Sequence, residues 1–252
     1  VSLVLSALEF DVIWESERLP ERHVALDVPS PGKTHAERAE LTRKAWAGLE
    51  SRKLAESGRA VPELADMLEV LAHPHVCVDV WIWAGREVKA FAAQAGRAAQ
   101  LAVIDEGQVW LIPARDTGLA ESAVSVAGDM VAGAGRSVSL PNDLVVAADN
   151  QSRGDTGKFI TTLEAKGISL RDAQTLTSML AGITTRGQFG AERRQRDQRI
   201  VRADRVVAFH DTPEGRYLDL VKPSPDGRLW CTVSPADNHR LASFVRELLE
   251  EI

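Results

Sequence analysis

The sequence predicts an α+β protein: a central antiparallel β-sheet flanked by helical groups, in two pseudo-equivalent halves. Three observations carry this. Helical segments are twice followed by short β-prone runs separated by Gly-containing turns. The octapeptides PARDTGLA (113–120) and PADNHRLA (235–242) share P-A-x4-L-A at a strand-to-helix junction, each a few residues after a strand tryptophan, Trp110 or Trp230. LESRKL (49–54) resembles LEAKGI (163–168), and both matches occur in the same order at similar offsets. The halves are expected at about 1–131 and 132–252, within a single 252-residue domain.

Ser6 followed by Glu9 is a capping box that starts a helix near residue 6, and Leu8, Phe10, Val12, Ile13 and Trp14 make it largely buried. VALDVPS then reads as a short extended piece. Thr34 with Glu37 opens a second helix over about 34–54, striped by Leu41, Ala45, Trp46 and Leu49. PELADMLEVLAH opens with Pro62 in its first turn and stops before Pro74. HVCVDVWIWAG, EVKAFAAQAG, AAQLAVIDEG and QVWLIPA form a meander, with a hairpin signal at Asp105–Gly107. A helix over about 116–130 precedes the turn-rich AGAGRSVSLPND. Helices over about 142–150, 157–166 and 169–182 lead to ITTRGQFGAE and then three strands, DRVVAFHD, RYLDLVKP and RLWCTVSP. The turns TPEG and SPDG join them, and a helix capped by Asp237 or Asn238 closes the chain.

Composition narrows the function. A content of 44% hydrophobic and 26% charged residues is that of an ordinary globular protein, and the net charge of −6 argues against a dedicated nucleic-acid binder. The two cysteines, Cys77 and Cys231, make no disulfide framework, and reduced thiols in a cytosolic compartment are expected. No apolar run approaches the roughly 20 residues of a membrane helix. The start, VSLVLSALEFDVIWE, lacks a basic leader region and soon carries Glu9, Asp11 and Glu15, so no signal peptide is expected.

PSPGKT (29–34) ends like a phosphate-binding loop, but Asp27 stands where that loop needs its first glycine. Pro29 and Pro31 also remove two backbone N–H donors. The stretch reads instead as a turn feeding the helix capped by Thr34. His73 and His75 flank Pro74 without the spacing of a metal site. His210, Asp211 and Glu214 in FHDTPEGRY invite an acid–base reading, yet they sit where a hairpin must reverse. No nucleophile elbow, zinc-protease motif or dinucleotide loop occurs. No catalytic, cofactor-binding or metal-ligating residue is therefore expected, and the protein should not be an enzyme. The densest charge run, 186–205, carries Arg186, Arg193, Arg194, Arg196, Arg199, Arg202 and Arg205, and with Phe189 as its sole aromatic it suits a solvated connection or a face for an acidic partner.

LEFDVIWE, PSPGKTHAER, GRSVSLP, RGQFG and, above all, FHDTPEGRYL with DGRLWCTVSPAD, in this order, closely resemble the EspG family. The resemblance implies a cytosolic, non-enzymatic chaperone of the type VII (ESX) secretion systems of mycobacteria and related actinobacteria. Such a chaperone binds the helical tip of the PPE protein in a PE–PPE heterodimer and keeps it soluble and export-competent. It also implies a quasi-twofold fold, a monomer or weak homodimer, no cofactor, no nucleic acid and no membrane insertion. Family contacts on the sheet and the C-terminal-half helices make Leu144, Val145, Phe159, Ile160, Leu163, Leu176, Met179 and Leu180 the partner-binding candidates, with Met179 favoured for its adaptable side chain. The family's early-strand loop corresponds to Ala84–Glu87, too short here for an extended contact. The alternative is a nucleic-acid or acidic-partner binder using 186–205.

Overall fold

The computed structural model describes residues 2–252. The chain forms two compact units. One holds the chain through Trp81, Glu87–Val126 and Ala191–Arg202; the other holds Ile82–Arg86, Ala127–Gly190 and Ala203–Ile252.

The first unit opens with β1 (Leu3–Ser6), α1 (Ala7–Ser16) and α2 (His35–Ser51). The small hairpin β2 (Ala55–Glu56) and β3 (Arg59–Ala60), α3 (Pro62–Ala72), the meander β4 (Val76–Trp83), β5 (Glu87–Ala95), β6 (Ala98–Asp105) and β7 (Gln108–Ala114), and α4 (Leu119–Ser125) follow. Its strands lie in the order β1-β7-β6-β5-β4. Both expected capping boxes form: the Ser6 hydroxyl accepts from Glu9 N–H and the Thr34 hydroxyl from Glu37 N–H. Phe10, Ile13, Leu49, Leu64, Leu68 and Phe91 build the core of this unit.

The second unit has the same connectivity. An edge strand, β8 (Val138–Pro141), precedes three helices, α5 (Asn142–Ser152), α6 (Thr156–Ala165) and α7 (Leu170–Met179). The strands β9 (Thr185–Arg194), β11 (Val207–Thr212), β12 (Gly215–Pro223) and β13 (Leu229–Pro235) then lead to α8 (Asn238–Glu250), in the order β9-β11-β12-β13-β8. Strand β9 is shared: Thr185–Gly190 belongs to this unit, while Ala191–Arg194 belongs to the first and is paired there with β10 (Ile200–Arg202).

The match between LESRKL and LEAKGI has a structural cause. Each ends the middle helix of its group with the same cap. Leu54 N–H donates to Leu49 O and Lys53 N–H to Glu50 O; Ile168 N–H donates to Leu163 O and Gly167 N–H to Glu164 O. This two-bond pattern puts the penultimate residue in the left-handed region, with Lys53 at φ 59° and Gly167 at φ 87°. A left-handed lysine costs about 1–2 kcal/mol, against about 0.5–1 kcal/mol for the extra unfolded-state freedom of a glycine. Lys53→Gly is therefore expected to stabilise by roughly 0.5–1 kcal/mol, and Gly167→Lys to destabilise, in thermal unfolding. Unchanged melting in both would show that the caps do not carry this strain.

Four expectations need correction. VALDVPS is not extended at its start: Val24–Leu26 is a 3-10 turn, because the His23 ring accepts from Ala25 N–H. The helix expected over 116–130 is a 3-10 turn at Asp116–Gly118 followed by α4, which stops at Ser125. The backbone beyond it is recruited by Arg216, which accounts for the early stop. The turn-rich segment contains β8, which pairs with β13. The Arg-rich run is not a connection alone but includes all of β9 except Thr185 and all of β10.

Candidate functional site

The three helices α5–α7 form a compact group over the second unit's core of Val138, Leu140, Leu163, Leu176, Met179 and Tyr217. Asp155 caps α6 by accepting from Lys158 N–H, and Ser169 caps α7 by accepting from Asp172 N–H. Arg153, in the left-handed region at φ 49°, ends α5 so that α6 can turn back against it.

The eight candidates separate by burial. Leu163, Leu176 and Met179 are interior and present no surface, which corrects the expectation for these three; periodicity cannot tell a core stripe from a docking stripe. Met179 in particular lies against Gly135, whose added Cβ would stand 3.4 Å from Met179 Sδ. Phe159 is 7% exposed, while Leu144, Val145, Ile160 and Leu180 are half-buried. Phe159 and Leu180 form the apolar lining of a cavity of about 170 Å³ between the end of α5, the start of α6 and the end of α7. Asp149, Ser152, Gly154, Asp155, Thr156, Thr177 and Ala181 line the rest. Apolar cavities of about 150 Å³ take up a benzene-sized group, so this one has room for one medium apolar side chain. Val146 and Leu170 stand exposed on α5 and α7. The polar rim escaped sequence reasoning because SRGDT reads as a simple helix-to-helix turn.

His210 fixes this helical group to the strands beneath it. It is 2% exposed; its Nδ1 lies 2.7 Å from Asp219 Oδ2 and its Nε2 2.9 Å from the Met179 carbonyl. The carbonyl is one that the end of α7 leaves without a helical partner. Both ring nitrogens face acceptors, an arrangement that suits the doubly protonated ring. Burial pushes the His210 pKa down, but Asp219 and the Met179 carbonyl outweigh it against the opposing charge of Arg186, and the net shift is upward. A raised folded-state pKa gives stability that is fully present below the unfolded value and lost as pH rises through the folded one. Melting temperature is thus expected to fall as pH rises above the ordinary histidine value of about 6.5 and through the raised folded-state value. His210→Gln should flatten that slope, and an unchanged slope in the variant would sink the assignment.

These contacts also answer the acid–base reading. His210 is spent on Asp219 and α7, Asp211 is paired with Arg216, and Glu214 is exposed at the turn. The three do not converge. His73 and His75 do not converge either: His73 contacts Glu69, and His75 Nδ1 accepts from Gly96 N–H. A trio that the sequence did not suggest, His23, Asp79 and Glu192, brings its ligand atoms within 4.8 Å of one another. Arg202 already supplies a cation there, 2.8 Å from Asp79 and 2.6 Å from Glu192. His23 and Arg202, opposing burial, hold the Glu192 carboxyl down at about 2. In PSPGKTHAER, Ser30 and Arg38 close with Arg22 on the buried Asp11 of LEFDVIWE, at 2.9, 2.8 and 2.9 Å respectively. A cavity of about 950 Å³ adjoins this clasp, and both its guanidinium groups are already committed to Asp11.

A profile of the EspG family matches residues 6–247. The chain belongs to the EspG family. No curated protein matches it. Among solved structures it is similar to the Mycobacterium tuberculosis type VII secretion system chaperone EspG5, determined in complex with a PE25–PPE41 dimer. That match has a TM-score of 0.77 at 14% identity and covers 100% of this chain and 97% of the other. At this identity the likeness shows the fold. Within the EspG family member described here, RGQFG lies in β9 and FHDTPEGRY forms the β11–β12 hairpin, so both motifs are structural. The β4–β5 turn is as short as expected, with Ala84 N–H donating to Arg86 O. No helix among the described residues is long and apolar enough to cross a membrane.

Proposed function

We propose that this protein is a type VII secretion chaperone that acts in the cytoplasm without catalysis, binding the PPE subunit of a PE–PPE heterodimer. The observation that carries the reading is family membership over residues 6–247. In this reading an apolar side chain at the PPE tip enters the cavity lined by Phe159 and Leu180. Leu144, Val145 and Ile160 support the tip around it, and Asp149 and Asp155 favour a basic residue beside the insert. Covering the tip removes an apolar patch that otherwise aggregates.

Co-expression with the PE–PPE pair of the same secretion locus, followed by size exclusion, tests the function. Co-elution is expected; separate elution of folded components overturns it. Ala181→Arg, which blocks the exposed cavity mouth, should abolish co-elution while leaving melting unchanged. If the pair co-elutes equally with this variant, the function stands and the cavity is not the site.

A further inference from the structure

The β9–β10 hairpin of the first unit carries a cationic cleft that the chaperone reading does not use. Its volume is about 380 Å³, and His73, His75, Arg194, Gln195, Arg196 and Gln198 line it. None of these is a carboxylate. Glu69 touches His73 Nε2 at 3.5 Å from one turn back on α3, but does not line the cleft.

The hairpin is built to hold this arrangement. Arg194 N–H donates to His75 O, which fixes the end of β9 beside the α3–β4 joint. The reversal is closed by Gln195 N–H to Arg199 O and Gln198 N–H to Gln195 O, with Gln198 left-handed at φ 68°. Neighbouring arginines are neutralised within the fold, Arg199 by Asp197 and Arg202 by Asp79 and Glu192. Arg194 and Arg196 have no carboxylate partner among the described residues. In a chain of net charge −6, two uncompensated guanidinium groups in one acid-free cleft leave an unmet demand for anionic oxygens.

We propose that this cleft docks an acidic peptide segment of a partner protein, with its Asp or Glu carboxylates received by Arg194 and Arg196. A guanidinium pairs with a carboxylate through two parallel hydrogen bonds, and the amides of Gln195 and Gln198 can donate to the remaining lone pairs. Peptide is favoured over nucleic acid on two grounds. No Phe, Tyr or Trp lines the cleft to serve as a base-stacking platform, and the acidic remainder of the chain repels a long polyanion.

Fluorescence anisotropy at low salt with a labelled hexaglutamate peptide tests this on the full chain, beside a hexaglutamine peptide and a single-stranded DNA 12-mer. The glutamate peptide is expected to bind, weakening steeply with added salt, while the glutamine peptide does not. Arg194→Gln with Arg196→Gln should weaken binding at least about tenfold, because it removes both charge-assisted contacts to the peptide carboxylates. Arg59→Gln with Arg115→Gln removes the same charge elsewhere on the first unit and should change little. No binding, equal loss in both double variants, or tighter binding of the DNA would overturn the proposal.

Discussion

Arg216→Ala is expected to destabilise the protein by about 3–5 kcal/mol, the usual cost of removing one partner of a buried ion pair. Arg216 is fully buried, and all five of its guanidinium N–H groups are satisfied. Nε and Nη2 donate to the two oxygens of Asp211 at 2.7 and 2.9 Å, Nη1 to the Gly128 carbonyl and Asn238 Oδ1, and Nη2 also to the Ala127 carbonyl. Its planar face lies over Phe209, 4.7 Å from the ring centroid. The variant strands a carboxylate that is 3% exposed, frees two backbone carbonyls and releases the start of α8. Melting should fall by on the order of 10 °C for a domain of this size. Adding Asp211→Asn should recover part of the loss, because the stranded charge is gone. A double variant less stable than Arg216→Ala would refute the account.

Gly215→Ala is expected to cost roughly 3 kcal/mol, from about 1–3 kcal/mol of backbone strain and a similar amount of overpacking. Gly215 has φ 125°, and an added Cβ would stand 2.7 Å from both Gly133 N and Val131 O. Neither atom can retreat cheaply. Arg216 N–H donates to Val131 O, and Gly133 N–H donates to Arg216 O. Gly133 is itself pressed on the Tyr217 ring, where an added Cβ would meet Cζ at 2.2 Å. The ring stacks on His210 and donates its hydroxyl to the Ala134 carbonyl. Gly85→Ala is the control: at φ 72° it shares the left-handed backbone but has nothing within 4 Å of the added carbon. Differential scanning calorimetry should show Gly215→Ala losing clearly more than Gly85→Ala; equal losses would mean that crowding contributes nothing.

Much of the fold was legible because its signals are local. The caps at Ser6 and Thr34, Pro62 at the start of α3, and the turns at Glu106–Gly107 and Pro213–Glu214 each act within four residues. The early end of α4 was not legible: the carbonyls of Ala127 and Gly128 leave the helical path for a guanidinium 89 and 88 residues away, respectively. Strand β8 was hidden for the same reason, since its pairing with β13 spans the helical group. Of the candidate partner-binding residues, the apolar stripe of α7 was visible, but Leu176 and Met179 face inward and the exposed Ala181 and Asp155 border the cavity.

By itself the sequence determined the type and order of most elements, though not of β8, β10 or the 3-10 turn at Val24–Leu26, and it carried the two internal matches. Helix caps, alternation and turn residues are short-range properties written in consecutive positions. Its motifs also pointed to the family. Only the tertiary structure decided what those motifs do. DTPEGRY places a buried arginine on Asp211, PSPGKTHAER closes a clasp on Asp11, and His210 pins α7. Tertiary packing also decided which apolar residues are core and which border a cavity. A side chain's burial depends on what the rest of the chain lays against it, and that information is not local.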